Sequence, residues 1–80
     1  GKLDYEAQKE ARSQEMRRQK RLEEVEAEIE KLEKELSKLE AEMTAEKNID
    51  QFELLQELKD QYESKNNKLE ELYQEWEEII

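Results

Sequence analysis

The 80-residue sequence lacks Cys, His and Pro, and it contains a single Gly. Without Cys there is no disulfide, thiol redox chemistry or thiolate metal site, and without His the commonest general base and metal ligand is missing. No apolar run approaches the roughly 20 residues that a membrane-spanning helix needs, and no signal peptide opens the sequence. We therefore expect a cytoplasmic chain with no membrane partner and no bound metal.

The composition also excludes an ordinary globular core. Hydrophobic residues make up 34% of the chain and charged residues 48%, with a net charge of −10. A narrow apolar stripe along a helix can be buried with so few hydrophobic residues, whereas a globular core cannot. The excess of acid disfavours the chain as a whole as a binder of DNA or anionic membranes. The Glu runs lack the spacing of a calcium loop, and an elongated helix offers no catalytic pocket, so we predict no enzyme activity.

Two series of apolar residues recur at alternating spacings of three and four, the heptad pattern of a coiled coil. The first series is Leu22, Val25, Ile29, Leu32, Leu36, Leu39 and Met43. The second series is Leu55, Leu58, Tyr62, Leu69, Leu72, Trp76 and Ile79, interrupted only by Lys65. We predict that these fourteen residues form the core of an all-α, two-helix antiparallel coiled-coil hairpin. Its helices would span about 5–45 and 51–79, in a single domain that is a fragment of a larger protein.

The segment between the two series predicts the turn, at about residues 46–50. Asp50 with Glu53 matches a capping box at the start of the second helix, and Ile49 with Leu54 matches a hydrophobic staple. Asn48 is an alternative cap, and Phe52 is expected to pack over the turn. Because this segment has neither Gly nor Pro, one continuous helical rod is the alternative to a hairpin.

Residues flanking the heptad seam indicate which helix pairs with which. On the first helix all six flanking positions are acidic: Glu26, Glu28, Glu33, Glu35, Glu40 and Glu42. On the second helix they are less acidic: Lys59, Gln61, Asn66, Lys68, Tyr73 and Glu75. Two copies of the first helix would repel each other, so the pattern favours pairing within one chain and a monomer.

Two registers of this hairpin are possible, one heptad apart, with a length of about 45–60 Å. In one register Leu36 lies opposite Leu58 and Arg18 opposite Trp76. In the other, Leu36 lies opposite Lys65 and Val25 opposite Trp76. We favour the first, because it keeps apolar layers together.

The beginning of the chain reverses its charge, since residues 1–21 carry a net +3 while the remainder carries −13. Candidate nucleic-acid contacts are the basic residues Arg12, Arg17, Arg18, Lys20 and Arg21, which could grip phosphates. The alternative is that they pair with acidic residues near the end of the second helix: Glu71, Glu75, Glu77 and Glu78. Trp76 and Tyr62 are expected in the core, whereas Tyr5 and Tyr73 are candidates for exposed contacts.

Three segments resemble the C-terminal domain of ABC-F ATPases, the soluble ATP-binding-cassette proteins with two nucleotide-binding domains. These segments are Leu3-Asp-Tyr-Glu-Ala-Gln-Lys-Glu10, Asp50-Gln-Phe-Glu-Leu-Leu-Gln-Glu-Leu58 and Leu72-Tyr-Gln-Glu-Trp-Glu-Glu78. The resemblance implies a non-catalytic appendage joined through residues 1–10 to the second ATPase domain of the same parent chain.

The resemblance also implies a function. Relatives act on the ribosome as translation or antibiotic-protection factors, and some such domains bind nucleic acid, so ribosomal RNA or DNA is the expected partner. ATP and Mg would belong to the parent, because the Gly-rich phosphate loop is absent here and no residue of this chain is expected to bind a cofactor. The alternative function is a purely structural or oligomerising coiled coil of an unrelated cytoplasmic protein.

Overall fold

The computed structural model describes all 80 residues as two long helices that fold back on each other. Helix α1 spans Lys2–Thr44, a short 3₁₀ helix spans Glu46–Asn48, and helix α2 spans Phe52–Ile79. Both long helices consist of strong helix formers such as Glu, Leu, Lys and Gln, with no Gly or Pro inside them. The predicted all-α antiparallel hairpin is confirmed.

The core is a thin line of apolar side chains between the helices. Seven residues are buried, and all are apolar: Val25, Ile29, Leu36, Leu39, Leu58, Leu69 and Leu72. The other seven residues of the two heptad series are half-buried, and Leu32, Tyr62, Trp76 and Ile79 among them pack against the buried cluster. Burial of one such aliphatic side chain stabilises the fold by about 1.5–3 kcal/mol. A core this small makes each buried leucine important to the hairpin.

The register that we favoured from the sequence is wrong by one heptad. The ammonium of Lys65 lies 2.8 Å from the carboxylate of Glu35, and the hydroxyl of Tyr62 donates to Glu40 at 2.9 Å. These contacts place Lys65 beside Leu36.

Two effects compensate for a lysine in this apolar layer. The ammonium leaves the seam and reaches Glu35, while the aliphatic stem of Lys65 stays packed. The observed register also sets Arg21 against Glu75, where the favoured one would set it against Lys68. In addition, Trp76 packs on the apolar cluster and not on Arg18.

At the turn, the structure contradicts four further expectations. The cap position of α2 is Gln51 and not Asp50, and no side chain caps this helix end. Asn48 instead serves the end of α1, where its side-chain amide donates to the carbonyl of Glu42 at 2.9 Å. Ile49 and Phe52 are 71% and 78% exposed, so neither the predicted staple nor the packing of Phe52 over the turn forms.

Helix α1 is longer than its partner, so its first part has no neighbouring helix. Of the hydrogen bonds between the two helices, the one nearest the N-terminus of α1 runs from Arg18 to the carbonyl of Ile79. We call residues 2–17, which extend past this contact, the arm. Because of the arm, the molecule is 73 Å long, beyond the length expected for the hairpin alone, and only 14 Å across.

Candidate nucleic-acid interface

The predicted basic cluster divides into two groups with different roles. Arg21 donates two hydrogen bonds to the carboxylate of Glu75, at 2.6 and 2.8 Å. Arg18 donates to the carbonyl of Ile79 at 2.9 Å and also pairs with Glu15. These two arginines therefore clamp the end of α2 to α1, and the predicted pairing with acidic residues of α2 occurs for Arg21 alone. Glu75 is the only one of the four acidic partners considered that a cross-helix ion pair uses.

The pKa values around this clamp follow from its hydrogen bonds. The guanidinium of Arg21 lowers the pKa of the Glu75 carboxyl, and the carboxylate raises the pKa of Arg21 in return. The bond from Arg18 lowers the pKa of Glu15 in the same way. Each hydrogen bond favours the charged form of both partners. The clamp is consequently an ionic contact across the ordinary pH range, and it lies at the surface where salt can reach it.

The remaining basic residues form no hydrogen bond or ion pair with α2. Ion pairs around the arm involve Arg17, Arg18 and Arg21 and leave out Arg12 and Lys20. Arg17 reaches only Glu10 of its own helix, at 3.4 Å.

Lys9 belongs with these residues, although our sequence analysis did not select it. It lies on the same side of α1 as Arg12, Arg17 and Lys20, together with Tyr5, Gln8, Ser13 and Met16. We call Lys9, Arg12 and Arg17 of the arm, together with the adjoining Lys20, the arm patch. The helical spacing of Lys9 from Arg12 and Arg17 is the signal that could have identified it.

The arm patch lies on a part of the α1 surface that α2 leaves exposed. Tyr5 and Met16, on the same surface, are 66% and 73% exposed, and no acidic side chain lines it. Four cations on one exposed face of a rigid helix form a surface suited to phosphate groups.

The aromatic residues lie largely where the heptads predict. Trp76 and Tyr62 are half-buried against the apolar cluster, while Tyr73 and Tyr5 are exposed. The hydroxyl of Tyr62 donates to Glu40 and that of Tyr73 donates to Glu33, and these bonds raise the pKa of both phenols because only the protonated hydroxyl can donate. Both tyrosine hydroxyls therefore form hydrogen bonds that join α2 to α1. Tyr5 is the tyrosine that forms no hydrogen bond to the other helix.

The outward faces of the two helices differ in charge. On α2 the positions that point away from the seam include eight acidic residues and no basic one: Glu53, Glu57, Asp60, Glu63, Glu70, Glu71, Glu77 and Glu78. On α1 the corresponding positions carry both signs of charge. They include Lys9, Arg17, Lys20, Lys31, Lys34 and Lys38 together with Glu6, Glu10, Glu23, Glu24 and Glu30. An anionic partner can therefore approach the back of α1 but is repelled by the back of α2.

Comparison with known protein families identifies the family of the chain. A family model described as the ABC transporter C-terminal domain matches residues 13–79. The chain belongs to this family. The matched family is a C-terminal domain of ATP-binding-cassette proteins and not their nucleotide-binding cassette. No curated protein and no solved structure matches the chain. Neither helix of this family member is long and apolar enough to cross a membrane.

Proposed function

We propose that this domain is the C-terminal appendage of an ABC-F ATPase and that it helps its parent to engage the ribosome or a nucleic acid. The parent is a translation or antibiotic-protection factor of the cytoplasm, and its ATPase domains hold ATP and Mg. The observation that carries the proposal is the arm patch, in which Lys9, Arg12 and Lys20 lie exposed on one helix surface and take part in no ion pair.

The charge distribution supports this function in a chain that is acidic overall. Nucleic acids bind through release of counterions from phosphates, which needs a local cluster of cations and not a net positive charge. The hairpin retains Arg18 and Arg21 for its own clamp and leaves Lys9, Arg12 and Lys20 without a partner on α2. The binding surface and the clamp therefore use different residues, and each can be changed alone.

The proposal is tested in the parent ATPase by ribosome co-sedimentation. Deletion of residues 1–80 should weaken association while leaving ATP binding intact. The triple variant Lys9→Gln/Arg12→Gln/Lys20→Gln should reproduce most of that loss. The matched control is Lys47→Gln/Lys59→Gln/Lys68→Gln, which removes the same charge from exposed positions outside the arm patch.

Two outcomes would contradict the proposal. Unchanged co-sedimentation after deletion of the domain would exclude a binding role, and equal losses in the two triple variants would exclude the arm patch as its site. The parent's own sequence gives a further check, because an ABC-F protein carries two Gly-rich phosphate loops before this domain. A stable dimer of the isolated chain in light scattering would favour the oligomerising coiled coil instead of the monomer that we propose.

A further inference from the structure

The acidic border of α1 repeats every seven residues, so it offers α2 two equivalent positions. Three side chains of α2 donate hydrogen bonds to this border: the donors are Tyr62, Lys65 and Tyr73, and their acceptors, in the same order, are Glu40, Glu35 and Glu33. Seven residues before each acceptor α1 carries another glutamate, in the same order Glu33, Glu28 and Glu26. A shift of α2 by one heptad towards the arm, which is about 10 Å, therefore gives each donor an equivalent acceptor.

Most of the apolar layers of the seam also form in both positions. In the structure Lys65 lies beside Leu36, and after the shift it would lie beside Ile29. One lysine therefore interrupts the apolar stripe in either register. The apolar cost of the shift falls at the open end of the hairpin, where Trp76 would move from the apolar cluster to Arg18. The face of an indole ring attracts a guanidinium, which offsets part of that cost.

The turn carries a helix-start signal that the structure does not use and that suits the shifted position. Because opposed residues lie equally far from the chain reversal, the shift moves its midpoint from residues 50–51 to residue 47. A reversal centred there leaves Asp50 free to cap α2, with Glu53 completing the capping box. In the structure Gln51 occupies the cap position, and no side-chain hydrogen bond caps this helix. The sequence of the turn is therefore compatible with both registers.

The ion pair between Arg21 and Glu75 distinguishes the two registers. In the structure the guanidinium donates to both oxygens of the carboxylate, at 2.6 and 2.8 Å. After the shift Arg21 would face Lys68, which lies one heptad before Glu75. An attraction between opposite charges would thereby become a repulsion between like charges.

We infer that the hairpin has a second register, in which α2 lies one heptad closer to the arm, and that Arg21 holds the chain in the observed register. In the second register the end of α2 covers residues 11–17, which the observed register leaves without a neighbouring helix. The free length of the arm is thus coupled to what Arg21 binds. An anionic group of a partner that takes Arg21 from Glu75 releases α2 to shift. This inference does not depend on the proposed function.

Distances between spin labels distinguish the two registers, and the chain has no cysteine of its own to interfere with labelling. Labels attached at Glu6→Cys and Glu78→Cys, both exposed positions, report where α2 lies along the arm. Their separation along the helix axis is about 25 Å in the observed register and about 15 Å in the shifted one. A second pair, Glu6→Cys and Ala27→Cys, lies on α1 alone and should stay about 31 Å apart in every variant. Pulsed electron paramagnetic resonance measures both distances.

The variant Lys68→Glu/Glu75→Lys exchanges the two charges that Arg21 can face and keeps the net charge of the chain. We expect the distance between the labels on the two helices to shorten by about 10 Å, because Arg21 then attracts residue 68 and repels residue 75. Addition of Arg21→Glu reverses both interactions and should restore the long distance. The matched control Glu30→Lys/Lys34→Glu exchanges an exposed ion pair within α1 and should also keep the long distance.

A short distance that reverts to the long one when Arg21→Glu is added supports the inference. The inference is overturned if the exchanged variant keeps the long distance, or if it gives a broad distribution with no maximum at the short distance. Loss of helicity in circular dichroism would overturn it too, because no second register would then hold α2. If the short distance persists after Arg21→Glu is added, or if the control shortens as well, Arg21 does not select the register and the inference fails.

Discussion

The paired and unpaired parts of helix α1 show how one continuous helix can serve two purposes. Residues 22–43 supply four buried side chains and face α2 with an acidic border, whereas the arm buries none of its residues and carries a basic face. Both parts have high helix propensity, so propensity does not distinguish them. The difference lies in packing, and it assigns stability to one part of the helix and an accessible charged surface to the other.

The largest expected effect is on the unfolding free energy, which should depend on the paired part of α1 and hardly on the arm. Leu72 packs against the paired part and is 1% exposed, so Leu72→Ala should cost about 2–5 kcal/mol of unfolding free energy and remove much of the cooperative transition. Met16→Ala in the arm should change the unfolding free energy by no more than about 0.5 kcal/mol. Urea denaturation followed by circular dichroism measures both. Similar losses in the two variants would mean that the arm is packed against something in solution.

A smaller effect concerns the clamp between α1 and the end of α2. Arg18→Gln/Arg21→Gln removes the contacts to Ile79 and Glu75, so the end of α2 should fray while the rest of the hairpin stays folded. Trp76 lies near this end and is half-buried, so its fluorescence should shift to longer wavelength as water gains access. The control Arg12→Gln/Arg17→Gln removes two arginines that do not touch α2. An identical fluorescence shift in the control would show that net charge, and not the clamp, causes the fraying.

The stability of the hairpin at acidic pH tests the ion pair between Arg21 and Glu75 alone. The clamp depresses the pKa of Glu75 in the folded chain, so its contribution to stability is complete above the unfolded value of about 4.3 and is lost as the pH falls through the folded value. In Arg21→Gln the pKa of Glu75 should rise towards that ordinary value. Carboxyl-carbon NMR titration measures this shift, with Arg12→Gln as the control. A Glu75 pKa that is the same with and without Arg21 would contradict the clamp.

The smallest effect is expected at high pH. Hydrogen bonds to Glu40 and Glu33 raise the pKa of Tyr62 and Tyr73 above the value of about 10 in the unfolded chain. Their contribution to stability is complete below that unfolded value and is lost as the pH rises through the folded values. In Glu33→Gln the pKa of Tyr73 should fall, which ultraviolet titration of the phenolate detects. Glu63→Gln, with the same charge change on the outer face of α2, should leave the titration of Tyr73 as it is.

The hairpin itself was predictable because heptads repeat many times, so each apolar position supports the others. Val25 and Leu72 are recognisable as core residues from spacing alone, and both are almost fully buried. The register was not predictable from apolar layers, because it depends on a few polar contacts. One lysine in the seam is tolerated when Glu35 lies within reach of its ammonium, and the sequence pattern does not say which helix face provides that glutamate.

The predictions for the turn and for the basic cluster were wrong for a related reason. Asn48 can cap either neighbouring helix, and only the path of the chain shows that it bonds to the carbonyl of Glu42 in α1. Likewise, five basic residues close together in sequence cannot be assigned to clamp or surface until the end of α2 is located. Arg21 meets Glu75 in the observed register, whereas Arg12 lies beyond the reach of α2. Local signals identified the residue types, and the partner helix decided their roles.

Helix α1 runs without a break from Lys2 to Thr44, and this continuity has a mechanical consequence. Sharp kinks need Pro, Gly or an inserted group, and the helix contains neither residue type. The arm and the hairpin therefore move as one rigid body. A small tilt at the arm is magnified into a wide sweep of the far tip, which carries the exposed side chains of Ile49 and Phe52.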